Sequence, residues 1–173
     1  MEQKTLKLLI IKNITYTLFI LLSYIVQETP GIFSHIHPVI VLSAVISIAM
    51  NEGEFSGGLY GLLGGLLCDT AAFHMFGVAS IFFSILGCTG GLLVIYLVHP
   101  NVKSAALMSA AAAFIYSSVS YYIIYGMWGY EGSEIFYIVK SASSSVSTAV
   151  FGALIFILIR KIKLLFEKMA KED

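Results

Sequence analysis

An acidic residue lies inside a glycine-rich apolar stretch, Gly57-Gly58-Leu59-Tyr60-Gly61-Leu62-Leu63-Gly64-Gly65-Leu66-Leu67-Cys68-Asp69. Gly57, Gly61 and Gly65 recur every fourth residue, so one face of a helix here carries no side chain. Another backbone can approach such a face closely, as in the small-xxx-small pattern of membrane helix pairs. Asp69 follows one turn later, where a carboxylate is expensive unless it is paired. This pattern favours a membrane chain held together by close helix contacts.

The rest of the composition agrees. Hydrophobic residues make up 58% of the chain, charged residues only 12%, and the mean hydropathy is +0.91. A soluble domain needs a polar surface that such a sequence cannot supply. Its 173 residues suit a single integral membrane domain with no soluble module. Cys68 and Cys88 both sit in apolar surroundings and are expected to pack as small hydrophobes. Neither a disulfide framework nor a metal-ligand spacing is present.

The hydropathy pattern divides the chain into six apolar segments, Leu8 to Val26, Ile36 to Met50, Phe55 to Phe73, Val78 to Val98, Ala105 to Met127 and Ile135 to Ile159. The first begins behind Lys4 and Lys7 and contains Lys12, whose stem can snorkel to the headgroups. No small-x-small cleavage site follows it, so an uncleaved anchor helix is expected. The second opens with Pro38 near its first turn, a position where the missing N–H costs nothing. It is the shortest segment, below the roughly 20 residues a crossing helix needs. Asn51-Glu52-Gly53-Glu54 forms a polar turn before the glycine helix, and His99-Pro100-Asn101 breaks the chain after the fourth segment.

Basic residues set the expected orientation. With six spans, Lys4, Lys7, Lys12, Lys103, Arg160, Lys161, Lys163, Lys168 and Lys171 fall on one side and Lys140 on the other. The positive-inside rule then puts both termini in the cytoplasm. Residues 160 to 173 form a basic cytoplasmic tail, which either contacts anionic lipid or simply fixes topology. Tyr121, Tyr122, Tyr125, Trp128, Tyr130 and Tyr137 gather around the outer turn between spans five and six, as an interfacial aromatic belt does. Four spans plus a re-entrant hairpin would satisfy the same charges.

Two readings stand for Asp69: a polar anchor pairing with a neighbouring helix or partner chain, and an interfacial carboxylate that caps the next turn and sees water. The glycine face likewise packs the chain's own helices or receives another protein's helix; small residues throughout spans three to six favour the first. Ser141 to Ser147 line one stretch of span six, and such hydroxyls ordinarily donate to the carbonyl four residues back. His35, His37 and His74 lack helical i, i+4 pairing and an H-E-x-x-H pattern, so no metal site is expected. With no Gly-x-Ser-x-Gly and no phosphate loop, neither catalysis nor a cofactor is expected.

The order of a first outer loop Gln27-Glu28-Thr29-Pro30-Gly31-Ile32-Phe33, Pro38 before a short apolar helix, a polar turn, a glycine helix ending Gly64-Gly65-Leu66-Leu67-Cys68-Asp69, and Gly77 soon after resembles the MreD family of rod shape-determining membrane proteins. The specific part of the likeness covers residues 27 to 77. Thr70-Ala71-Ala72-Phe73-His74 departs from the small, polar turn expected after the aspartate. The resemblance implies an all-α compact bundle of six transmembrane helices, similar to the S components of energy-coupling-factor transporters. It also implies a non-enzymatic part of the cell-elongation machinery that supports peptidoglycan synthesis. The partners it implies are an MreC-like bitopic protein, a class B penicillin-binding protein, a RodA-type glycosyltransferase and, indirectly, the MreB filament; nucleic acid is not among them. Gly57, Gly61, Gly65, Asp69 and Gly77 are the residues expected to carry helix packing or partner contact. The rival reading is an S component binding a small vitamin-like substrate from outside. Against it, the first helix has no alanine between Leu8 and Val26, so the AxxxA-type docking face of that helix in S components is missing.

Overall fold

The structure is a computed structural model that describes residues 2–29, 38–71, 77–122 and 134–171. These residues form six helices: α1 (Glu2–Glu28), α2 (Ile40–Glu52), α3 (Glu54–Ala71), α4 (Val78–Tyr96), α5 (Val102–Tyr121) and α6 (Glu134–Lys171). The chain is thus all-helical over its described residues. Three stretches are long and apolar enough to cross a membrane: Leu8–Glu28, Val78–Tyr96 and Val102–Tyr121. His35, His37, His74, Tyr125, Trp128 and Tyr130 lie outside the described residues, as does most of the first outer loop.

The shortest helix holds the centre. α2 has 13 residues and, at about 1.5 Å of rise per residue, is only about 20 Å long. Every residue from Ile40 to Met50 is buried. A helix that is apolar all round belongs in a core, and α2 touches all five of the other helices. The stretch that looked weakest as a span is the axis around which the others pack.

Two tight hairpins dominate the surrounding shell, α3 with α4 and α5 with α6, whereas α4 and α5 barely touch although a short corner joins them. Tyr16 and Ile20 of α1, Phe83 of α4, and Phe156 and Ile159 of α6 are buried against the centre. The opposite face of α1, from Leu9 through Leu18 to Val26, is exposed and apolar, as a lipid-facing stripe requires. α6 runs without a break through the sixth apolar segment into the basic tail, ending at Lys171.

Between α2 and α3 lies a single residue. Gly53 takes φ +98, where an L side chain would be strained, and its N–H donates to the Ala49 carbonyl at 2.9 Å. That is a glycine helix stop. The expected four-residue polar turn is therefore compressed, with Asn51 and Glu52 still helical and Glu54 already opening α3.

Candidate functional site

The glycines of α3 fill two seams. A Cβ at Gly57 would sit 2.4 Å from the Gly87 carbonyl oxygen, one at Gly61 2.3 Å from the Phe83 oxygen, and one at Gly65 2.3 Å from the Ser80 Cα. All three obstacles are backbone atoms of α4. The match is mutual, because a Cβ at Gly87 would meet the Gly57 oxygen at 2.2 Å and one at Gly91 the Glu54 Cα at 2.5 Å. Backbone lies on backbone along most of the hairpin, the geometry that small residues permit. Gly64 faces elsewhere, with the Val41 Cγ1 of α2 at 2.8 Å from its would-be Cβ. The face of Gly57, Gly61 and Gly65 is thus occupied by the chain's own α4.

Asp69 lies at the far end of that seam and is only 5% exposed. Its Oδ1 accepts from the Ala79 N–H at 3.0 Å, and its Oδ2 from the Ser80 N–H at 3.0 Å and the Ser80 hydroxyl at 2.6 Å. Ala79 and Ser80 stand in the first turn of α4, where N–H groups have no partner within the helix. An N-cap side chain normally accepts such bonds, but the N-cap of α4 is Gly77, which has none to offer. Asp69 therefore caps α4 from the neighbouring helix, and its charge is favourable at the positive end of the helix dipole. Of the two readings, capping describes its bonds and the neighbouring helix its partner, but the carboxylate is shielded from water. Gly77 takes φ +100 and has nothing within 4 Å of an added Cβ, so its glycine serves the turn and not the packing.

The same device recurs at α2, which also lacks a cap of its own. The Val41 N–H donates to Gln27 Oε1 of α1 at 3.1 Å, and the Val39 N–H to Thr148 Oγ1 of α6 at 3.1 Å. Gln27 Nε2 reaches Cys68 Sγ at 3.8 Å, tying α1 to α3. Ser43 donates to the Thr148 carbonyl at 3.2 Å. Along α6, Ser145, Ser147 and Thr148 each donate to the carbonyl four residues back.

At the other end a charged layer gathers that the sequence reading missed. Lys12 forms an ion pair with Glu52 at 2.5 Å, and neither side chain is more than 20% exposed. Tyr16 donates its hydroxyl to Glu52 Oε1 at 2.9 Å and meets Tyr60 edge-on, with ring centroids 5.9 Å apart. Lys163 of α6 donates to the Asn51 carbonyl. Lys12 is thus held by a carboxylate of the central helix. The available signal was the spacing of Lys12 and Tyr16, which puts both on one face of α1, together with a glutamate at the end of the central helix.

Comparison with protein-family models, with curated proteins and with solved structures finds no match for this chain.

Proposed function

We propose that this chain is a non-enzymatic, multi-pass component of the bacterial cell-elongation machinery, binding an MreC-like bitopic protein and helping to organise peptidoglycan synthesis. All six helices cross or enter the plasma membrane in this reading, and both termini lie in the cytoplasm. The observation that carries it is how the interior polar groups are used. Asp69, Gln27, Thr148 and Ser43 are bonded to neighbouring helices of the same chain. An interior spent on holding its own helices suits a scaffold better than a substrate pocket, which needs polar groups free to meet a ligand. Since α4 covers the glycine face, a partner helix would dock on an outer surface. Of these, the apolar stripe of α1 from Leu9 to Val26 is one candidate.

One observation favours the rival S-component reading. The Ser141 hydroxyl is buried and has no hydrogen-bond partner among the described residues. A buried unpaired hydroxyl is costly, and a small polar ligand would satisfy it.

Purification of the tagged protein in mild detergent from its native host, with mass spectrometry of what accompanies it, separates the two. The scaffold reading expects the MreC-like protein and the wall synthases. Recovery of transporter ATPases with their coupling subunit would overturn it.

A further inference from the structure

The corner joining α4 to α5 is a candidate binding site of its own. Leu97 to Ser104 surround an open depression of about 620 Å³. It lies at the same end of the bundle as the Lys12 and Glu52 layer, since Gly91 rests on Glu54 and α4 runs on past it to Tyr96. Leu97, Val98 and Val102 give the depression an apolar side; His99 and Lys103 give it a basic one, and no carboxylate lines it. This pairing matches an amphiphile with an anionic head.

The corner is also held in shape. Ser104 Oγ accepts from the Asn101 N–H at 3.0 Å and lies 2.8 Å from the carbonyl oxygens of both His99 and Asn101. The Leu97 and Val98 N–H groups both donate to the Leu93 carbonyl, at 2.8 and 2.9 Å. Pro100 removes further backbone freedom between them. His99 and Lys103 are therefore presented from a fixed frame, which lowers the ordering cost of binding.

We propose that this corner binds the headgroup of an anionic phospholipid, with Lys103 and His99 meeting the phosphate and Leu97, Val98 and Val102 meeting the glycerol and upper acyl chain. A lysine that serves only to fix topology needs charge and no shaped, partly apolar surround. The proposal rests on the membrane reading and is independent of the cell-elongation reading.

The test is native mass spectrometry of the purified full chain, titrated with phosphatidylglycerol and with phosphatidylcholine of matched acyl chains. The wild type is expected to retain phosphatidylglycerol preferentially. Lys103→Ala should weaken that retention about fivefold, the usual effect of one basic residue near an anionic surface, and His99→Ala should weaken it less. Phosphatidylcholine should be unaffected in both. Three results would overturn the proposal: equal retention of the two lipids, no loss of retention in Lys103→Ala, or displacement of the lipid by millimolar inorganic phosphate. The last would assign the corner to a free anion.

Discussion

The α3 and α4 hairpin and the α1 helix are both fixed to this bundle, by opposite means. Between α3 and α4 the contact is backbone against backbone, with Gly57, Gly61, Gly65, Gly87 and Gly91 leaving no side chain in the way. α1 is held by side chains: Tyr16 and Ile20 pack inward, Lys12 pairs with Glu52 at one end, and Gln27 caps α2 at the other. The first seam has no slack, because a displaced backbone carries its whole helix with it. The second has slack in rotamers but depends on two polar attachments in a medium that offers no substitute partner. Steric substitutions should therefore be most damaging in the hairpin, and charge substitutions most damaging on α1.

The largest effect is expected from Gly61→Leu, whose Cβ alone would sit 2.3 Å from the Phe83 oxygen. A loss of about 3 kcal/mol or more is expected, seen as disappearance of the monodisperse peak in size-exclusion chromatography. Lys12→Met comes next, since it leaves Glu52 buried without its cation. Removing one partner of such a pair costs about 3–5 kcal/mol when it is fully buried, and the residual exposure here puts the expected loss at or below the lower end. Adding Glu52→Gln to Lys12→Met should recover most of it, measured by thermal unfolding in one detergent; no recovery would show that the pair is not what holds α1. Asp69→Ala leaves the Ala79 and Ser80 N–H groups without their acceptor. Unsatisfied buried donors cost about 1–3 kcal/mol, and Asp69→Asn, which keeps one acceptor, should lie between the alanine variant and the wild type.

The smallest effect sharpens the contrast within α3 itself. At Gly58 an added Cβ meets nothing closer than 3.8 Å, so Gly58→Ala should be neutral or stabilise by about 0.5–1 kcal/mol through helix propensity. If Gly58→Ala and Gly61→Leu lowered the melting temperature equally, the seam would not run along the face described.

The glycine period was legible because a repeat of four needs only helical geometry to become a smooth face. That the chain's own helices cover that face was the favoured reading, but which helix does so was not legible: α4 carries its own small run from Gly87 to Gly91, and nothing in one sequence pairs that run with α3. The centrality of α2 was hidden by its shortness: length is a test for crossing a membrane and carries no information about being surrounded. For Asp69 the sequence left two readings open, a pairing anchor and an interfacial cap. Its bonds depend on the return of α4 beside α3, which one sequence does not contain. Lys12 and Glu52 lie far apart in the chain, and a lysine near a helix start has an ordinary explanation in snorkelling that needs no partner.

The central structural claim is that the glycine seam is internal, and native Cys88 gives a direct way to test it. A Cβ at position 58 would lie 3.8 Å from the Cys88 Cβ, within the roughly 3.5–4.5 Å that a disulfide spans. Gly58→Cys in the otherwise unaltered chain should, under mild oxidation in the membrane, lose the thiols at positions 58 and 88 to maleimide labelling while still running as a monomer, with Cys68 the remaining thiol. A disulfide-linked dimer, or a position-58 thiol that stays reactive, would contradict the account and return the α3 face to contact with another chain.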